Sequence, residues 1–402
     1  MVKKGFLTGL LLFGIFFGAG NLIFPPALGV ASGQDFWPAI LGFCLSGVGL
    51  AIITLLLGTL TNGGYKTEMS EKFSPWFSLT FLVILYLTIG PLFAIPRTAT
   101  VSFEIGVAPI VGHSPIALLC FTACFFAAAY YLAIRPNGIL DSVGKILTPV
   151  FAFLILSLVV VGAIAYGNLE SAKASADYAG KAFGSGVLAG YNTLDALAAV
   201  AFCLVATETL KKFGFKTKKE YLSTIWIVGI VTSLAFSILY IGLGFLGNKF
   251  PVPADILADP NVNKGAYVLS QASYKLFATV FTLIGFLIAN LGLNAVITFS
   301  VPVLTLLYPI VIVIVLIILI NKWLPLSKKG MSLTIGLVTL VSFVEVLAGQ
   351  WQEKTLTQLV GFLPFHTISM GWLVPMLIGI VFSLVLSDKQ KGQAFDLEKF
   401  EG

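Results

Sequence analysis

Apolar runs of about 20 residues, each long enough to cross the hydrocarbon layer as a helix, recur along the chain. They fall at 6–30, 36–60, 77–103, 115–134, 146–166, 185–209, 221–247, 277–297, 302–320, 331–348 and 367–387. These eleven segments are continuous instead of alternating, so they lack the dyad pattern of a membrane barrel and predict an all-α, polytopic helical membrane protein. Only 10% of the 402 residues are charged and 58% are hydrophobic, which excludes a water-soluble domain of this size. The start, Lys3-Lys4 and then apolar residues from Phe6, has the outline of a secretory signal. Its run is longer than a signal core and carries Pro25-Pro26, so it is predicted to be a retained first span.

Loop charge orients the first half. Lys3 and Lys4, Lys66 and Lys72, Arg135 and Lys145, and the cluster Lys211, Lys212, Lys216, Lys218 and Lys219 alternate with loops holding only Lys173 and Lys181. The positive-inside rule then places the N-terminus in the cytoplasm of a multi-pass protein. The net charge of +6 is spread over short loops, which points to orientation and not to nucleic-acid binding. In the second half one crossing per segment puts Lys322, Lys328, Lys329, Lys389, Lys391 and Lys399 outside, against the rule. One crossing more or fewer between Gly247 and Pro302 repairs it. The polar stretch Asn248 to Lys275 cannot supply that span.

The first apolar run breaks itself at Gly18-Ala19-Gly20-Asn21, ahead of Pro25-Pro26. In hydrocarbon, unwound backbone survives only where it lines a cavity or is buried in protein, and broken helices point to transporter binding sites. The glycines permit close approach and unusual dihedrals, and Asn21 is suited to cap a half-helix starting near Leu22. The half-helix ending near Gly18 offers carbonyls to a cation or ammonium; the one starting after Asn21 offers N–H groups to a carboxylate. Together they describe a receptor for a zwitterion.

The sixth run is again glycine-rich and polar at its midpoint, with Tyr191, Asn192, Thr193 and Asp195, five spans after the first break. Asp195 at membrane depth is a functional candidate, partnering a substrate ammonium, a coupling ion or a transferable proton; an interhelical hydrogen bond that only positions the helix is the alternative. In the third run Arg97 and Glu104 stand seven residues apart on one helix face, which suggests an internal ion pair that stabilises one gate conformation ahead of the alternative, direct contact with substrate. Phe93 and Phe103 read as packing residues.

Other chemistry is excluded. Cys44, Cys120, Cys124 and Cys203 lie in apolar segments without the company a metal or redox site needs. His113 and His366 are loop residues, Glu345 is isolated, and no nucleotide-binding loop occurs. With no nucleophile, base and orienting group assembled, no enzymatic activity and no covalent cofactor are expected. Uphill transport would have to draw on an ion gradient.

The stretches FGAGNLIFPP (17–26), GPLFAIPRTATVSFEIGVAP (90–109), GYNTLDALAA (190–199) and ANLGLNAVITFSVPVLTLLYP (289–309) resemble the bacterial branched-chain amino acid:cation symporters, the BrnQ-like carriers. The resemblance implies a LeuT-like five-plus-five inverted repeat with broken first and sixth helices. It implies transport of leucine, isoleucine and valine with Na⁺ or H⁺ across a bacterial inner membrane. One transmembrane domain would cover 1–402, with a first repeat at 1–166, a second at 185–320, and two additional helices and a tail at 331–402. Substrate would meet Gly18, Ala19, Gly20, Asn21, Tyr191, Asn192, Thr193 and Asp195, and a sodium ion would meet the Gly18 and Ala19 carbonyls and hydroxyls of an eighth span. Such carriers have twelve spans, and this chain reads as lacking the eighth, between about Gln271 and Ala272. The alternative reading is a non-transporting relic or sensor that keeps the receptor but not the coupling site.

Overall fold

The computed structural model describes residues 2–61, 63–133, 148–215, 217–259, 262–273, 293–351, 360–366, 370–386 and 389–390. The first span is split into α1 (Val2–Phe16) and α2 (Ala19–Ser32), and the second is α3 (Phe36–Cys44) and α4 (Leu50–Thr59), joined by a wide π turn. A short helix α5 (Gly64–Lys72) leads to the third span, α6 (Pro75–Leu87) and α7 (Ala94–Gly106), and then come α8 (Pro115–Ala133) and α9 (Thr148–Tyr166). The sixth span is α10 (Ala182–Tyr191) and α11 (Asp195–Lys211), and the seventh is α12 (Lys218–Lys249). The remainder is α13 (Lys264–Ser273), α14 (Leu293–Trp323), α15 (Lys328–Trp351) and α16 (Leu373–Val385).

The protein is an all-α polytopic membrane protein. Among the described residues five helical stretches are long and apolar enough to span, a sixth is the pair α10 and α11 bent by 42°, and Pro115–Tyr130, Ala152–Tyr166 and Leu373–Val385 are shorter apolar helices. Of the predicted segments, 277–297 lies mostly outside the described residues, as does the loop 135–145; every other segment coincides with one or more helices. Several stretches read as loops are partly helical: α5 lies within 61–75, the short helix Ala108–Val111 within 104–114, and α13 within the polar stretch after Asn248. A two-residue ladder, Leu326 opposite Gln390 and Ser327 opposite Lys389, joins the chain after α14 to the tail.

Contacts at one end of the bundle bear on the charge count. Lys4 Nζ donates to the Phe213 carbonyl at 3.2 Å, Tyr221 OH to the Thr59 carbonyl at 2.7 Å, and Lys322 Nζ to the Leu60 carbonyl at 3.5 Å. The N-terminus, the loops after α4, α11 and α14 and, through the ladder, the tail therefore share one end. Lys322, Lys328 and Lys389 lie with the other basic loops, so the one-crossing-per-segment count is corrected in the direction the charges demanded.

Packing is exchanged between the two broken spans. α12 lies along α2 and α1, whereas α10 lies on α3 and α11 on α4. Close backbone approach makes this possible, as small residues commonly do between membrane helices. A Cβ on residue 186 of α10 would overlap the Ala39 carbonyl of α3, so only glycine fits. At the far end of α2 the Asn248 side chain donates to the carbonyls of Gly29 (3.1 Å) and Gly33 (2.7 Å) and accepts from Ser171 Oγ (2.7 Å). It thereby satisfies acceptors that a helix end leaves open. Asn248→Ala should cost about 2 kcal/mol of stability through these lost bonds; the check is a lowered unfolding temperature of detergent-purified protein.

Candidate functional site

The first break falls at Phe17-Gly18, slightly earlier than the sequence suggested. Gly18 is extended (φ −130°, ψ −175°) and α2 begins at Ala19, so the cap is Gly18 and Asn21 sits in the first turn of α2. Asn21 still contributes to the cap: its Oδ1 accepts from the Gly18 N–H at 2.9 Å. That leaves its amide nitrogen pointing across the bundle. Extended backbone suits any residue, and a Cβ at Gly18 would meet nothing closer than 3.6 Å, so the special glycine here is Gly20 and not Gly18.

The second break spans Asn192-Thr193-Leu194, between α10 and α11. Leu194 takes a left-handed conformation (φ 69°), which costs free energy for a branched residue and is held by its buried setting. Asp195 opens α11, where the positive end of the helix dipole favours a carboxylate. Thr193 Oγ1 donates to the Gly190 carbonyl at 2.8 Å, and Tyr191 stacks on Tyr308 of α14 with ring centroids 4.3 Å apart.

The two breaks meet. Asn21 Nδ2 donates to both oxygens of Asp195, at 2.9 and 3.0 Å. Tyr240 of α12 donates its hydroxyl to Asp195 Oδ2 at 2.5 Å and also contacts Asn21 Nδ2. Because a carboxylate can only accept, the orientation of the Asn21 amide follows from its neighbours. The cluster is sealed: Asn21 is 1% exposed, Asp195 2% and Arg97 3%. Around it Phe13, Phe17, Phe236 and Tyr240 form an aromatic wall, with Phe13 and Phe236 centroids 4.9 Å apart and Phe236 and Tyr240 5.5 Å apart.

The expected Arg97–Glu104 pair does not form. Glu104 instead meets His113 at 3.3 Å. Seven residues place two side chains on one face but about 10 Å apart along the axis, which is too far to touch. Arg97 instead reaches the second break, where Nη1 donates to the Asn192 carbonyl at 2.6 Å, and its guanidinium lies over the Phe24 ring at 5.2 Å. Phe103 packs against Phe121, a packing residue as anticipated. The Gly18 carbonyl accepts from Asn21 N at 3.1 Å. The junction Gln271–Ala272, where the sequence reading placed the gap, falls in the last turn of α13, and residues 274–292 lie outside the described residues. Tyr240, Tyr308 and Phe236 were missed from the sequence. A buried tyrosine hydroxyl in an apolar helix needs a partner, and that was the available signal.

Comparison with known proteins places the whole chain. The sequence profile of a family described as branched-chain amino acid transport protein matches residues 1–277 and 266–390. The chain belongs to that family. Relatives provisionally named branched-chain amino acid carrier protein are similar to the chain over nearly its whole length. The one from Staphylococcus saprophyticus is 35% identical over 451 aligned positions, covering 99% of this chain and 100% of the relative. That from Staphylococcus haemolyticus is 36% identical over 438 positions (96% and 97%), and that from Staphylococcus aureus USA300 35% over 436 (96% and 97%). This family member has 402 residues, fewer than the positions in each alignment. The two profile matches meet at 266–277, around the junction Gln271–Ala272.

Proposed function

We propose that this protein is a secondary carrier that imports leucine, isoleucine and valine across a bacterial inner membrane, coupled to Na⁺ or H⁺, by alternating access about the two helix breaks. The observation that carries this reading is the bridge from Asn21 to Asp195, which ties one interrupted helix to the other in a sealed polar centre. Polar groups at such depth are costly unless they serve a path or a ligand. The substrate's aliphatic side chain would lie against Phe13, Phe17 and Phe236, and its charged groups at Gly18 to Asn21 and Tyr191 to Asp195. Asp195 is the residue we assign to coupling or to the substrate ammonium. The exchanged packing of α12 on the first span and of α10 and α11 on the second supports an inverted repeat of 1–166 and 185–320. The basic end of the bundle, N-terminus included, would face the cytoplasm.

A second reading, a relic or sensor that binds leucine without accumulating it, draws on the split profile match and the surplus of aligned positions. That surplus is large enough for a span of about 20 residues and its loop. Radiolabelled leucine uptake into proteoliposomes separates the two. Accumulation driven by an inward Na⁺ or pH gradient, and absent without one, is the expected result. Leucine binding by purified protein with no gradient-driven uptake would favour the sensor.

A further inference from the structure

Arg97 carries a charge that no acid among the described residues neutralises by contact. It is 3% exposed and takes part in no ion pair among the described residues. The nearby Asp195 accepts from Asn21 and Tyr240 and makes no ion pair with Arg97. A guanidinium taken out of water costs several kcal/mol unless an anion accompanies it, so this one is poised for a partner.

The geometry indicates which edge is free. Nη1 is committed to the Asn192 carbonyl at 2.6 Å, Nε is buried with no hydrogen-bond partner, and no hydrogen bond from Nη2 occurs among the described residues. Nε–H and Nη2–H point the same way from the planar group and form the side-on fork that matches the two oxygens of a carboxylate. Nη2 lies beside Gly20, 2.7 Å from where a Cβ would stand. Ala19 and Gly20 are in the first turn of α2, where the N–H groups lack acceptors within the helix. The Nη2 end of the fork and the first-turn amides therefore lie side by side at the first break.

We propose that Arg97 is the receptor for the substrate carboxylate, with its Nε/Nη2 edge aimed by the Asn192 carbonyl and admitted by the missing side chain at Gly20. The proposal rests on the carrier reading and refines it. It makes a free carboxylate the decisive feature of a substrate, ahead of side-chain fit, so that leucinamide, which keeps the ammonium and the isobutyl group, is rejected.

The test is displacement of radiolabelled leucine from the purified full-length protein by leucine and by leucinamide. In the wild type leucine should compete about 100-fold better than leucinamide. Arg97→Gln should weaken leucine by about that factor, leave leucinamide unchanged and so close the gap. A residue that merely holds the helices together would weaken both ligands alike. Should Arg97→Gln fail to fold, Gly20→Ala displaces the fork without removing the charge, and the gap should narrow. A wild-type gap that survives in either folded variant overturns the proposal while the carrier reading stands; a wild type that binds no leucine removes both.

Discussion

Asp195→Asn should abolish gradient-driven leucine accumulation, lowering it by about 100-fold, because two charge-assisted hydrogen bonds of about 1.5–3 kcal/mol each become weak or mismatched. The Asn21 amide and the Tyr240 hydroxyl both donate to this carboxylate, and an asparagine of the same shape can accept through only one of its two atoms. The protein should still reach the membrane in normal amount, since removing a buried charge relieves desolvation. Leucine counterflow, which requires no net ion movement, then separates the roles. Retained counterflow assigns Asp195 to coupling, and lost counterflow assigns it to the substrate ammonium. Undiminished accumulation would remove Asp195 from the mechanism altogether.

Gly186→Leu should be the most damaging change outside the site. A Cβ at residue 186 already overlaps the Ala39 carbonyl, and backbone cannot step aside as a flexible side chain can. Overpacking of this kind costs about 3 kcal/mol or more, and it would force α10 off α3 just before the second break. The expected outcome is aggregation on size-exclusion chromatography and loss of leucine binding; a monodisperse, binding-competent variant would show that the two spans can separate without consequence.

Both breaks were legible because glycine and asparagine inside an apolar run weaken a helix, and interrupted backbone in a bilayer must be gripped by protein or line a cavity; Pro25 and Pro26, by contrast, lie inside α2. The position of the cap was not, since Gly18 and Asn21 can each serve and only the hydrogen bond between them decides. The meeting of Asn21 with Asp195 is a tertiary fact: 174 residues separate them, and no local pattern encodes it. Tyr240 and Phe236 sit in an uninterrupted helix of 32 residues, where apolar neighbours hide them. Arg97 was recognised as buried, yet its partner was sought on its own helix, when the acceptor lay on a neighbouring one. Charge parity, by contrast, gave the correct end for Lys322 and the tail, because basic loops obey a rule that does not depend on packing.

The fit of α2 against its neighbours limits how it can move. Its Ile23 carbonyl abuts Gly265 of α13, its Pro26 abuts Gly247 of α12, and Gly29 faces the Gly244 carbonyl, main chain against main chain throughout. With no intervening side chains to change rotamer, these three helices behave as one lever. In the alternating-access cycle proposed above, a swing that uncovers Asn21 would carry α12 and α13 with it, and Tyr240 would travel on the same arm while Asp195 stays behind. Prising the tyrosine from the carboxylate would then be built into the stroke itself.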